Sequence, residues 1–353
     1  MKRSLAILLL ASSTAAAHAA SFDCAKAHTP QEKAICASPE LSKADDGMAA
    51  AYKAALAAAP SEFHERIRDS QRAWVRRITL NCRPGNPNRP LDACLHDAYK
   101  ARTDALEHTL DSVGGVKFIR LSVSFTVPDS PEDAEADKER GVSPVATFDA
   151  SWPQALSNSP EWLAWNSAIE DTARDLASQG KAGSDRKWEP EWVDGMDTDL
   201  ETTLGLVTPR LVTAIVSNEW YGHGAAHPNT DSLKFNWMLK EKRALRAEDV
   251  FRAGSGWQQI LYDRTDKYLH SALDQDSDGD YQKLGEPGAM AETVRKIVED
   301  PQSWTIDAKG ITIVFEQYAV TCRACTPEPF TLTWDSLKSV LNPEFEIPGS
   351  PNP

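Results

Sequence analysis

The cysteines constrain this chain most, because they are unevenly placed: Cys24, Cys36, Cys82 and Cys94 crowd the first third, and Cys322 and Cys325 stand alone near the end. What six cysteines can do depends on compartment, and the first twenty residues bear on that. Lys2 and Arg3 precede an apolar run at 5–10 and a small-residue stretch at 15–20, in which Ala17-His18-Ala19 offers an A-x-A cleavage site. Residues 1–19 therefore read as a signal peptide, and the remainder as an exported chain, periplasmic or secreted. An oxidising compartment favours disulfides over metal thiolates or catalytic thiols. The apolar run falls short of the ~20 residues that cross a bilayer, so no membrane span is expected. Cys24 follows Ser21-Phe22-Asp23 rather than the cleavage site, which argues against a lipid anchor. At 353 residues the chain exceeds one ordinary domain. The expectation is a small disulfide-stapled domain followed by a larger one.

Helical spacing dominates the first part. Thr29-Pro30-Gln31-Glu32 has the form of a capping box with proline at the first helical position. Leu41, Ala44, Met48, Tyr52, Ala55 and Ala59 then recur at helical intervals up to Pro60, followed by Phe63, Ile67, Trp74 and Ile78. After a Pro- and Gly-rich loop at 83–90, Leu91, Leu95, Ala98, Arg102, Leu106 and Leu110 form a last stripe. A helical domain over 22–111 results, with Gly114-Gly115 as a hinge. Beyond it, alternation at 116–125 and 145–152 predicts strands, and the charged segment 128–141 reads as a mobile loop. Trp162, Trp165, Ile169 and Ala173 mark a helix, and paired strands lie at 200–206 and 210–220. A strand at 233–239, helices at 256–273 and 289–298, strands at 304–306, 311–318 and 330–334, and a short helix at 337–341 complete a domain over 116–342. Residues 343–353 are a tail. Strands mostly follow one another, so the expected class is α+β: an all-α domain, then a larger domain with a mostly antiparallel sheet and packed helices.

Cys24, the run Glu32-Lys-Ala-Ile-Cys36, Leu41, Tyr52, Trp74, Cys82, Cys94 and Tyr99-Lys-Ala-Arg102 together resemble the N-terminal domain of the LprI family of lysozyme inhibitors. Farther on, Tyr221-Gly-His-Gly-Ala-Ala-His-Pro-Asn-Thr230, Phe235-Asn-Trp-Met-Leu and Glu248-Asp-Val-Phe251 resemble the domain shared by RsiV-type lysozyme receptors and exported peptidoglycan deacetylases. Ala150-Ser-Trp-Pro, Gly310-Ile-Thr-Ile-Val-Phe-Glu-Gln-Tyr318 and Phe330-Thr-Leu-Thr-Trp fit the same domain. Both resemblances imply lysozyme, a basic protein, as the partner. The first four cysteines would form two cystines, whose pairing the sequence leaves open.

The Gly-rich turn holding Tyr221, His223 and His227, with the hairpin carrying Tyr318 and Arg323, is the expected contact surface. Joining His223 and His227 to Cys322 and Cys325 would make a zinc set, but the pairs lie ~95 residues apart and export favours a Cys322–Cys325 disulfide. Asp274, Asp276, Asp278 and Asp280, with Gly279, match the start of a calcium loop, although position 12 is Gly285. No cofactor is required, and calcium is the candidate ligand there. Glu219 and His223 could pair as acid and base; no nucleophile elbow, zincin helix or phosphate loop is present. Trp162, Trp165, Trp188 and Trp192 are the candidates for a peptidoglycan-binding surface.

The formal charge is −14, which excludes a phosphate-neutralising nucleic-acid binder. By count, residues 21–113 hold 13 basic and 13 acidic side chains, while 114–353 hold 23 and 39. All the net negative charge lies beyond the helical domain. The expected function is a non-catalytic, soluble, exported lysozyme binder and inhibitor; the alternative is a cell-envelope enzyme or glycan-binding module.

Overall fold

The structure, a computed structural model, describes residues 20–85, 89–132, 134–135, 142, 145–177, 188, 195–274 and 290–349. Its first part is helical: α1 (Pro30–Ala37), α2 (Pro39–Ala58), α3 (His64–Asn81) and α4 (Leu91–Glu107). The Thr29 capping box forms as its spacing predicts, with the Glu32 N–H donating to Thr29 and the Glu32 carboxylate accepting from the Thr29 N–H. Ser38 caps α2 in turn. Alanine-rich α2 lets α1 and α4 approach closely around Ile35, Leu41, Met48, Leu95 and Tyr99. Two disulfides, Cys24–Cys36 and Cys82–Cys94, each spanning 12 positions, fasten the segments next to these helices. Buried Gln31 adds a cross-link by donating to the Thr79 and Cys82 carbonyls at 3.1 and 2.7 Å.

Helix α4 stops at Glu107, three residues short of the Leu110 that its stripe predicts. Leu110 instead opens a strand, and Gly114-Gly115 is the turn of a hairpin rather than a hinge. Both glycines have positive φ (57° and 78°), the geometry that matches strand twist in a two-residue hairpin loop. A Cβ at Gly114 would also collide with the Val207 carbonyl.

The hairpin begins a seven-stranded sheet in chain order: β1 (Leu110–Val113), β2 (Val116–Pro128), β3 (Val145–Ala155), β4 (Met196–Val207), β5 (Leu211–Gly222), β6 (Asn229–Met238) and β7 (Arg243–Ala244). Every neighbouring pair is antiparallel except β3 with β4. A parallel pair needs a crossover, and helix α5 (Pro160–Ala177) lies in that connection. Fully buried Trp165, Ile169 and Ala173 on α5 meet Trp152, Leu200, Val212 and Val216 from one face of the sheet. The loop expected at 128–141 is anchored where it is described: Asp129 is buried and accepts the Gly195 N–H at 3.0 Å.

The last part has its own core. Helices α6 (Trp257–Asp274) and α7 (Ala291–Glu299) pack with a three-stranded antiparallel sheet, β8 (Trp304–Ile306), β9 (Gly310–Ile313) and β10 (Phe330–Thr333), around Leu261, Val294, Trp304 and Ile311. β9 ends at Ile313, shorter than expected. The final helix is Trp334–Leu337, ending where sequence periodicity places its start.

Both flanking units rest on the second, polar face of the large sheet. At one end, α3 covers β2 and β3 through a Ser70–Ser122 hydroxyl bond of 2.9 Å and an Arg77–Asp149 ion pair. At the other, β6 holds the C-terminal unit: Asn236 donates to the Pro301 and Trp304 carbonyls at 2.9 and 2.8 Å. No helix of the described residues is long and apolar enough to cross a membrane.

Candidate partner-binding surface

Strand alternation puts Asp149, Asp199, Glu219 and Thr230 in one row across β3 to β6, and Ser151, Glu201, Ser217 and Ser232 in the next. These rows floor an open groove between the helical unit and the C-terminal unit. On the helical bank stand Arg77, Arg89 and Arg102; on the other stands Glu316. Loss of solvent on this floor, together with the charges of Glu201 and Glu219, pushes the Asp199 carboxyl above the usual carboxylate range against the pull of Arg77. Burial in turn lowers the Arg77 pKa, although Asp197 and Asp199 oppose it. An incoming cation would relieve the crowding of like charges. The signal for this floor in the sequence is the Asp197-x-Asp199-x-Glu201 alternation, which puts three carboxylates on one face of β4.

Glu316 belongs to a loop, 314–326, that carries much of the expected contact set. Its carboxylate accepts from the Ser232 hydroxyl at 2.7 Å and the buried Lys234 ammonium at 2.6 Å. Gln317 accepts from the Thr230 N–H and from Arg323, and Arg323 also donates to the Pro228 carbonyl at 3.1 Å. The Cys322–Cys325 disulfide closes the loop end. Tyr318 projects from this anchored frame, 60% exposed, in left-handed backbone with φ 63°. Next to the loop, the Gly-rich turn is closed by the Tyr221 hydroxyl donating to the Ala225 carbonyl at 3.1 Å, and the His227 ring lies 3.0 Å from the Pro228 carbonyl. Tyr221, His227, Tyr318 and Arg323 are thus brought to one region.

His223 is not available to a partner. Its side chain is 2% exposed, with ring nitrogens 3.6 Å from Asp129 and 3.4 Å from Asp197. Asp197 also accepts from the Thr147 N–H and hydroxyl at 3.0 and 2.6 Å. Burial raises the Asp197 pKa, but hydrogen bonds from His223 and Thr147 outweigh it and hold the carboxyl below its ordinary value. The cluster ties the ends of β2, β3, β4 and β5 together. It also removes the acid/base pair with Glu219, since four residues of extended chain separate the two by about 13 Å. The zinc set fails for a different reason: both cysteine sulfurs are joined to each other.

Of these tryptophans, Trp162, Trp165 and Trp188 pack in or against the core of the large sheet. Trp165 is fully buried, Trp162 packs edge-on to it and to Phe118, and Trp188 stacks on Trp152 at 4.6 Å. Trp192 lies outside the described residues. So do Asp276, Asp278 and Asp280 of the calcium loop, and Asp274 is described only as the last residue of α6.

The fold and site define a class: an α+β protein in which a disulfide-stapled helical unit and a second α/β unit flank an acidic sheet floor. Two family matches follow the same division. Residues 24–107 match the family described as lysozyme inhibitor LprI, and residues 248–335 match the protein family of unknown function DUF3298, the RsiV-type domain family. A DUF3298 family member from Bacteroides fragilis NCTC 9343 is 15% identical over 66% of this chain and 96% of its own, with a TM-score of 0.44. Another, from Pseudomonas aeruginosa PAO1, is 13% identical over 66% of this chain and 97% of its own, with a TM-score of 0.48. No curated protein matches.

Proposed function

We propose that this chain is an exported protein that binds and inhibits lysozyme, without making or breaking a bond. The observation that carries the reading is the placing of the LprI-matched unit against an acidic floor, Asp199, Glu201 and Glu219, open beside it. Loss of residues 1–19 would leave 36 basic against 52 acidic side chains. A net acidic surface of this kind steers a basic enzyme toward it. The anchored loop with Tyr318 is the projection that enters the enzyme's cleft, and the carboxylates make the rim. An aromatic held by a rigid loop loses little entropy on binding. Three disulfides accord with the oxidising compartment that export requires.

A turbidity assay of lysozyme acting on cell walls, run with the chain from Ala20 onward, tests this. Inhibition is expected, with binding that weakens as salt rises from 20 to 300 mM, about 20 to 6 Å in screening length. Neither inhibition nor binding at low salt would reject the reading.

A further inference from the structure

Asp45 lies on α2, inside the helical unit, and is 3% exposed. One carboxylate oxygen accepts the Tyr99 hydroxyl at 2.9 Å, and the other accepts the Ser21 backbone N–H at 2.6 Å. Among the described residues no Lys, Arg or His forms an ion pair with it. A carboxylate held away from water by neutral donors alone is costly, and a cation at that point would offset the cost. The chain leads to one. Ala20, the residue before Ser21, is itself 6% exposed and packs in the core with Ile35, Leu41, Tyr99 and Leu106.

We infer that hydrolysis of the Ala19–Ala20 bond completes this site, by releasing an α-ammonium at Ala20 that pairs with Asp45. Water adds across the amide: the carboxylate goes to Ala19, and the amine left on Ala20 takes a proton at neutral pH. One residue of chain spans at most about 3.3–3.6 Å, so the new ammonium lies within that reach of the nitrogen already bonded to Asp45. An unprocessed chain carries an uncharged amide there and cannot form the pair. Processing therefore does more than remove a leader. It locks the start of the chain to α2 and α4, which Asp45 and Tyr99 already join. The inference rests on the export reading of residues 1–19 and is independent of any lysozyme partner.

The test uses the exported chain. Its mass and N-terminal sequence should give Ala20 as the first residue; any other start overturns the processing step. Chains beginning at Ala20, or with one glycine added ahead of it, are then compared by denaturant unfolding, each with Asp45 and with D45N. The extra glycine should reduce the folding constant at least tenfold in the Asp45 chain and leave the D45N chain unchanged. Equal stability of the two Asp45 chains overturns the ion pair, as does an equal loss in D45N, which would mark a steric effect. Should D45N fail to fold, the Asp45 comparison still decides the first of these. Neither readout involves lysozyme, so failure here and failure of the inhibitor reading are separate results.

Discussion

The helical unit and the sheet-based remainder reach stability by different means. The first is charge-balanced, and its core is small, with Ala51 and Ala55 set among Ile35, Leu41, Met48, Leu95, Tyr99 and Leu106. A unit of this size buries too little apolar surface to stand comfortably alone, so two covalent staples and the docking of α3 on β2 supplement it. The remainder has two cores rich in tryptophan and phenylalanine, and it carries the net negative charge. With stability already supplied by those cores, one face of its sheet tolerates crowded carboxylates. The region with the larger cores is thus the one that holds the electrostatically unfavourable surface.

That contrast can be broken most forcefully in the large core. Trp165→Ala removes a fully buried indole wedged between α5 and the sheet, and a loss of about 3–5 kcal/mol in equilibrium unfolding is expected. A loss under 1 kcal/mol would mean that this core does not dominate. Next comes the Cys82–Cys94 staple. Its 12-residue span predicts a cost of about 3 kcal/mol for C82A/C94A, against about 2 kcal/mol for C322A/C325A with a span of 3. Reversal of that order would show that the helical unit relies on docking rather than on its disulfides.

Smaller substitutions separate stability from binding. Tyr318→Ala, at an exposed position, should change stability by no more than about 0.5 kcal/mol while weakening lysozyme binding about tenfold. Unchanged affinity would move the contact off this loop.

The weakest effect is at Asp199. Its folded pKa lies above its unfolded value, so the native state holds the proton more tightly and stability falls as pH rises through the folded pKa. D199N should therefore be more stable than the parent at pH 7, and the advantage should vanish below about pH 3.9, where both forms are neutral. The same substitution should slow association with lysozyme at low salt. A chain that gains stability without losing association rate would show that the floor is not the docking face.

Much of the fold was legible because local physics fixed it. The capping box at Thr29, the stop at Pro60 and the turn near Thr208 each depend on neighbours within a few residues, and the structure has them where sequence reading puts them. Leu110 shows where such reading ends. Its spacing fits the α4 stripe, but pairing with Ile119 across a glycine turn competes with one more helical turn and wins. His223 shows the same for the site. Flanking glycines suggest an exposed turn, yet two carboxylates, 94 and 26 residues earlier, enclose the ring.

By itself, the sequence determined the α+β class, the helical periodicities, the charge asymmetry and the cysteines available for pairing. These follow from composition and from interactions at short range. Only the tertiary structure decided that Asp149, Asp199, Glu201 and Glu219 share one floor, that Tyr318 stands out from a loop fastened to β6, and that His223 is enclosed. Strand register across residues far apart in the chain sets which side chains meet, and one pattern of local spacing is compatible with many registers.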